Sequence, residues 1–68
     1  MEEEYTVAIY QKGKAFAFKG YKDGTELFSD AIHLAKKFTR EKAEELKEIV
    51  QRKNPEWDVG IVQIRTFD

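Results

Sequence analysis

The chain contains no cysteine, one proline and one histidine among its 68 residues. The lack of cysteine excludes disulfide bonds and thiolate metal ligands. Chains without disulfides are typical of reducing compartments, so we expect a cytoplasmic protein. A single histidine without neighbouring ligands does not make a metal centre, and no metal or other cofactor is predicted.

Long hydrophobic runs are also missing. No apolar segment approaches the roughly 20 residues that a membrane helix needs. The acidic residues 1–4 lack the basic and apolar regions of a signal peptide, and we expect them to be disordered. The formal net charge of −1 gives no overall attraction to nucleic acids or to anionic lipids. We therefore expect no membrane partner.

The length limits the chain to one domain, residues 1–68. A chain of this size buries only about 60% of the surface that it exposes when unfolded. Because an enclosed substrate pocket needs a larger scaffold, we predict no small-molecule substrate and no enzymatic activity.

The first half of the sequence predicts two hairpins. Residues 5–10 alternate in polarity and lead into a turn at Lys12-Gly13, followed by a second strand over 14–21. Asp23-Gly24 predicts a second turn, and residues 25–28 predict a short third strand. These strands form an antiparallel meander.

The main helix has clear start and stop signals. Thr39 is placed to cap its first turn, where Glu41 suits the helix dipole. Pro55 ends it. A short helical turn is predicted before it, over about residues 30–36. Helical spacing predicts a buried stripe of Ala43, Leu46, Ile49 and Val50.

Residues 57–67 predict a fourth strand whose alternation of polarity breaks at Gly60. Either this strand is central and covered on both faces, or Gly60 forms a bulge. A single helical crossover would make it parallel to the first and third strands. We place it beside the first strand, in the order 4-1-2-3, with the opposite edge as the alternative.

The predicted fold class is therefore α+β, with the element order β-β-β-α-β: a three-stranded antiparallel meander, a short helical turn, one main helix packed on the sheet, and a C-terminal fourth strand. The predicted core consists of Val7, Ile9, Phe16, Phe18, Leu27, Phe38, Ala43, Leu46, Val50, Ile61 and either Val62 or Ile64. Trp57 is expected to close one end of this core rather than to anchor an interface.

Groups that carry chemistry are few. His33 lies near Ser29 and Asp30, but this local spacing matches no catalytic triad. The carboxylates of the main helix alternate with basic residues and are expected to form a solvated face. No catalytic residue is predicted.

The first hairpin is the most distinctive surface. Residues 11–22 carry four lysines and no acid, with aromatic residues between them. Such lysines can neutralise phosphates while an exposed tyrosine stacks on a base, but lysine also protects outer strands from pairing. The candidate partner-binding residues are Tyr10, Lys12, Lys14, Lys19, Tyr21 and Lys22.

Residues 35–46 (AKKFTREKAEEL), followed by residues 57–62 (WDVGIV), resemble the second half of many small uncharacterised proteins of bacteriophages, prophages and Gram-positive bacteria. This resemblance implies a small accessory or host-interacting protein without known catalytic residues. Residues 38–43 and the lysine-bearing strands are also similar to the arm-type DNA-binding domain of phage integrases, which implies DNA binding.

The leading hypothesis is a non-enzymatic binding module of phage type. It would contact a protein partner or another copy of itself through the sheet face turned away from the helix, together with any free strand edge. That face or its rim is predicted to carry Ala8, Tyr10, Ala15, Ala17, Lys19 and Tyr21. The alternative is nucleic-acid binding through the basic hairpin 11–22.

Overall fold

The computed structural model describes residues 4–64, which form one four-stranded sheet with a single α-helix packed against it. The elements are β1 (Tyr5–Gln11), β2 (Lys14–Lys22), β3 (Thr25–Ser29), a 3₁₀ turn (Ile32–Leu34), α1 (Arg40–Lys53) and β4 (Asp58–Gln63). The strand order β3-β2-β1-β4 confirms the predicted α+β fold and the place of the fourth strand beside the first. The predicted disorder of residues 1–3 and the predicted strand end at 65–67 lie outside the described residues.

The fourth strand runs antiparallel to β1, so the prediction of a parallel strand was wrong. Tyr5 lies opposite Gln63, and Tyr10 lies opposite Asp58. The reason is the segment before α1, in which Phe38 already forms an antiparallel bridge with Tyr5. This segment returns the chain to the end of the sheet where β1 begins. The helix therefore runs in the direction of β1, and β4, which follows it, runs in the opposite direction.

Residues 36–38 insert between the beginning of β1 and the end of β2. The Lys36 amide donates to the Phe18 carbonyl at 2.9 Å, and Phe38 exchanges two backbone hydrogen bonds with Tyr5 at 2.7 and 3.0 Å. This insertion also shortens the helical turn predicted over residues 30–36, since the chain becomes extended after Leu34. The result is a sheet whose first hairpin is completed by a segment distant in sequence.

Both hairpins turn on two residues with left-handed backbone angles. Lys12 and Gly13 have φ of 52° and 77°, and Asp23 and Gly24 have φ of 51° and 78°. Two consecutive positive φ angles are typical of a type I′ turn, which matches the twist of the flanking strands. The two predicted turns are confirmed.

The irregularity of the sheet lies in β2 and not at Gly60. Strand β4 pairs with β1 without a register shift, and it is an edge strand, so both alternatives for Gly60 were wrong. In β2, a bulge between Phe18 and Gly20 leaves Lys19 without a partner on β3. Gly20 has φ of 148°, a conformation that residues with a side chain rarely adopt.

The bulge also decides which residue of β3 reaches the core. Phe28 pairs with Phe18 and packs against the core, whereas Leu27 pairs with Gly20 on the opposite face. The prediction that Leu27 belongs to the core was therefore wrong. Sequence alternation could not place it, because the position of the bulge sets which face each residue takes.

The core lies between α1 and the facing side of the sheet. Its buried members are Val7, Ile9, Phe18, Ala43, Leu46, Val50 and Val59, and Tyr5, Phe16, Phe28, Phe38, Trp57 and Ile61 pack around them. The centroid of the Phe18 ring lies 5.8 Å from the ring centroids of both Phe28 and Phe38. Trp57 meets Phe28 edge to face at 6.2 Å, which confirms its role at the end of the core.

Helix α1 starts as predicted but buries a narrower stripe. The Thr39 hydroxyl accepts a hydrogen bond from the Lys42 amide at 3.3 Å. Leu46 and Val50 are buried, whereas Ile49 is 44% exposed, so its assignment to the buried stripe was wrong. The helix packs chiefly over β1 and β4. Position 49 lies on the flank of the helix that is turned towards β2.

Candidate protein-binding surfaces

The centre of the sheet face turned away from α1 is closed to solvent. Val7 and Phe18 point into the core, so the alternating residues Thr6, Ala8 and Ala17 point the other way. These three are only 0%, 2% and 3% exposed. Ala8 and Ala17 therefore cannot form the predicted contact surface.

Tyr10 and Ala15 remain exposed at the rim of that face, where they lie opposite each other. Tyr10 is 43% exposed. Its ring lies across Gly60, because a Cβ built on Gly60 would be 3.4 Å from the Tyr10 ring carbon Cε2. This rim joins β2, β1 and the beginning of β4.

Tyr21 lies on the helix side of the sheet, so its predicted place on the opposite face was wrong. The bulge at Lys19 reverses the alternation of β2, and the Tyr21 ring lies 5.1 Å from that of Phe18. Tyr21 and Ile49 line a shallow groove with Phe38, Lys42, Glu45 and Leu46. Two residues that the sequence placed elsewhere thus meet at one surface.

The four lysines of the first hairpin are exposed but do not converge. Lys12 lies in the first turn and Lys14 begins β2, whereas Lys22 ends that strand and Lys19 lies at the bulge. A strand rises about 3.3 Å per residue, so Lys14 and Lys22 are roughly 26 Å apart. These side chains do not form one patch.

A different group of lysines has its backbone at the bulge: Lys19, Lys36 and Lys37, called the basic cluster below. The hydrogen bond to Phe18 holds Lys36 beside β2, and its Cε is 3.6 Å from the position of a Cβ on Gly20. All three lysines are exposed, and none forms an ion pair with an acid in residues 4–64. Lys36 and Lys37 were not predicted, because their place beside β2 depends on a long-range backbone contact.

The groups considered for catalysis stay apart. His33 is exposed in the 3₁₀ turn, and the Ser29 hydroxyl accepts a hydrogen bond from the Ala31 amide at 3.1 Å. Within the described part of the chain, no three acidic, histidine or cysteine side chains are grouped to hold a metal ion. No helix there is long and apolar enough to cross a membrane.

The two edges of the sheet differ in character. Strand β3 has five residues and lies next to the bulge. Its Glu26 carboxylate binds Lys53 Nζ of α1 at 3.1 Å. Short length, irregular pairing and charge all discourage the addition of another strand, so the β3 edge is protected.

The β4 edge is less protected: its pairing is regular, and its one charged residue, Asp58, lies at its start. Its six residues pair with β1 in an unbroken register and include no lysine and no proline. Apolar side chains lie on both faces: Val59 and Ile61 point towards α1, and Val62 lies half-buried on the opposite face. No strand of residues 4–64 pairs with its outer side.

The hydrogen-bond phase of β4 identifies its unpaired backbone groups. The Ile64 amide donates to the Glu4 carbonyl, so this pair bonds towards β1. In an antiparallel ladder bonded pairs alternate with unbonded ones, and even-numbered residues of β4 therefore face β1. The amides and carbonyls that face outwards belong to Val59, Ile61 and Gln63.

One flank of α1 lies beside this edge. Gln51 Nε2 donates to the Trp57 carbonyl at 2.6 Å, just before β4 begins. Arg40, Glu44 and Lys47 share this flank because they precede Gln51 by whole helical turns. Arg40 Nε lies 3.8 Å from Glu44 Oε1, whereas Lys47 forms no ion pair within residues 4–64.

Comparisons with protein-family models, with curated proteins and with solved structures find no significant match to this chain. The resemblances to phage-type proteins and to integrase arm domains stay predictions. Of the surfaces within residues 4–64, the β4 edge is the most regular.

Proposed function

We propose that this protein is a non-enzymatic binding module that recognises a protein partner by adding one strand of the partner to its sheet at β4. The observation that carries the proposal is the outer side of this regular strand, which no strand of residues 4–64 pairs with. Outward amides and carbonyls at Val59, Ile61 and Gln63 offer a hydrogen-bonding ladder to an extended segment. In this mode of recognition, backbone bonds supply affinity and alternate side chains supply specificity.

The surroundings of β4 favour an apolar partner segment. One set of its side chains would lie beside Ile61 near α1, and the alternate set would lie beside Val62. Asp58 is the only charged residue of the strand. The best fit is a strand of about six residues with apolar side chains on both faces. An accessory role of phage type, as the resemblance implies, is part of this proposal.

Peptide selection followed by mapping tests the proposal. Extended peptides selected from a random library would be titrated into isotope-labelled protein while amide shifts and hydrogen exchange are measured. We expect the changes to concentrate at Val59, Ile61 and Gln63, because their outward amides become bonded. Peptides that bind instead in the groove of Tyr21 and Ile49 would contradict the proposal.

A matched pair of variants at Gln63 isolates the backbone contribution. Gln63 is exposed and its amide faces outwards, so Gln63→Pro removes a donor to the partner but none to β1. Losing this bond and adding the proline ring should weaken peptide binding about tenfold or more, whereas Gln63→Ala should retain it. Equal affinities of the two variants would overturn binding at this edge.

A second candidate function is nucleic-acid binding by the basic cluster of Lys19, Lys36 and Lys37. It is supported by three exposed lysines whose backbones are brought close by the bond between Lys36 and Phe18. Fluorescence anisotropy with single-stranded and duplex DNA over a salt series tests it. Lys19→Ala and Lys36→Ala should each lower the salt slope by about one, whereas Lys14→Ala should not. A lack of binding at low salt would remove this candidate.

A further inference from the structure

We infer that the strand bound at β4 is β4 of a second copy of this chain, so that the protein forms a symmetric dimer with one continuous eight-stranded sheet. This inference rests on the proposed function and names its partner. Closed two-fold dimers are the most common oligomers because one surface serves both subunits. Three features of the β4 side of the molecule favour a second copy.

Strand β4 is complementary to itself when the two-fold axis passes through Ile61. This register sets Ile61 opposite Ile61, Val59 opposite Gln63, Gly60 opposite Val62 and Asp58 opposite Ile64. Residues with outward amides then face residues with outward amides, as an antiparallel ladder requires. Asp58 faces an apolar residue, so no like charges oppose each other.

The position of α1 also suits a two-fold axis at this edge. The helix packs chiefly over β1 and β4, hence about one strand spacing from the axis. With strands about 4.8 Å apart, the helices of two copies would run antiparallel at about 10 Å. This separation lies close to the usual 8–10 Å of packed helices. The dimer would therefore join two layers, not a sheet alone.

The facing helix flanks have complementary charges. The flank beside β4 alternates along Arg40, Glu44 and Lys47. In an antiparallel pair of helices, Glu44 of one copy can face Lys47 of the other, and the contact occurs twice. Lys47 is half-buried and forms no ion pair with an acid in residues 4–64, so its ammonium group is available for this contact.

Molar mass measured across a concentration series tests the dimer. We expect a mass that rises towards twice the 8.0 kDa of one chain. Gln63→Pro should shift the midpoint of association at least about tenfold upwards in concentration, whereas Gln63→Ala keeps the amide and should shift it less than about fivefold. A wild-type chain that stays monomeric at about 1 mM would overturn the inference, because its free energy of association would then be weaker than about −4 kcal/mol.

Cysteine cross-linking tests the register. The chain has no cysteine, so Ile61→Cys introduces one unique thiol. Cα atoms of a hydrogen-bonded antiparallel pair lie about 5.5 Å apart, within the range that a disulfide spans. Oxidation should give a cross-linked dimer, whereas Ala15→Cys, exposed on β2, should not. Equal cross-linking of the two variants would overturn this register.

A nitroxide on Gln63→Cys gives a second measurement at an exposed position, in case the partly buried Ile61 does not tolerate replacement. The backbones at Gln63 of the two copies would be roughly 14 Å apart in the proposed register. Dipolar coupling that corresponds to this separation supports the dimer, and its absence at dimeric concentration overturns it.

The outcomes separate the inference from the function on which it rests. A monomer whose β4 still binds the selected peptides overturns the dimer and leaves the proposed function in place. A monomer that binds no peptide at β4 overturns both. A dimer whose association is unchanged in Gln63→Pro uses another surface and also overturns the inference.

Discussion

At the scale of single residues, Thr6 carries a buried hydroxyl whose hydrogen-bonding capacity is unused within residues 4–64. Its side chain is fully buried, and its hydroxyl oxygen has no hydrogen-bond partner within the described residues. Thr6→Val keeps the shape and removes the unpaired hydroxyl, whose burial costs about 1–3 kcal/mol. We expect a rise of about 1 kcal/mol in the free energy of unfolding, measured by urea denaturation.

The control for this prediction is Thr6→Ala. It also removes the hydroxyl but leaves a cavity, so the protein should become less stable than Thr6→Val by about 1 kcal/mol. A loss of stability in Thr6→Val would contradict the prediction, because it would mean that the hydroxyl has a favourable partner in solution.

Two glycines of the sheet should differ in their sensitivity to the same substitution. Gly20 has φ of 148° at the β2 bulge, so Gly20→Ala should cost about 1–2 kcal/mol of stability through backbone strain. A Cβ on Gly60 would meet the Tyr10 ring at ordinary contact distance, 3.4 Å. Gly60→Ala should therefore change stability by less than about 1 kcal/mol. Thermal unfolding would reveal the contrast, and equal losses would contradict it.

At the scale of elements, helix α1 separates two apolar positions that the sequence grouped together. Leu46 is 5% exposed and Ile49 is 44% exposed. Leu46→Ala should lower the free energy of unfolding by about 2–4 kcal/mol, whereas Ile49→Ala should lower it by less than about 1 kcal/mol. Chemical denaturation of both variants checks this, and similar losses would place Ile49 in the core.

Local signals predicted the elements well, because turns and caps depend on neighbouring residues. The Asp23-Gly24 turn and the Thr39 cap form as expected. Features set by distant contacts were not predictable. The bulge that moves Tyr21 to the helix side, and the bridge of Phe38 to β1 that reverses β4, both depend on pairing across the sheet.

The candidate site was predictable only in part. The sequence named free strand edges as contact surfaces, and β4 is one. The apolar residues on both faces of this strand favoured a central position in the sheet. The same pattern also fits an edge strand that becomes covered when a partner strand binds. Of the predicted contact residues, Tyr10 stays exposed near β4, whereas Tyr21 lies elsewhere.

At the scale of the whole molecule, the β3 edge is protected and the β4 edge has no partner strand within residues 4–64, so self-association should be controllable from β4. Gln63→Lys places a charge beside the outward amides, and lysine on an edge strand opposes pairing. We expect less light scattering at high concentration and after heating, with the free energy of unfolding changed by less than about 0.5 kcal/mol. Unchanged scattering would assign aggregation to another surface.

The insertion of residues 36–38 has a consequence for the order of folding. Pairing of the first hairpin extends from its turn only as far as Ala8 and Ala17. Beyond them, the backbone groups of Tyr5 and Phe18 bond to residues 36–38 instead of to each other's strand. Completing the sheet requires closure of a long loop, a step that slows folding. In a nascent chain that ends before residue 36, the beginning of β1 and the end of β2 would lack their hydrogen-bond partners. The domain can close only after residues 36–38 have been synthesised.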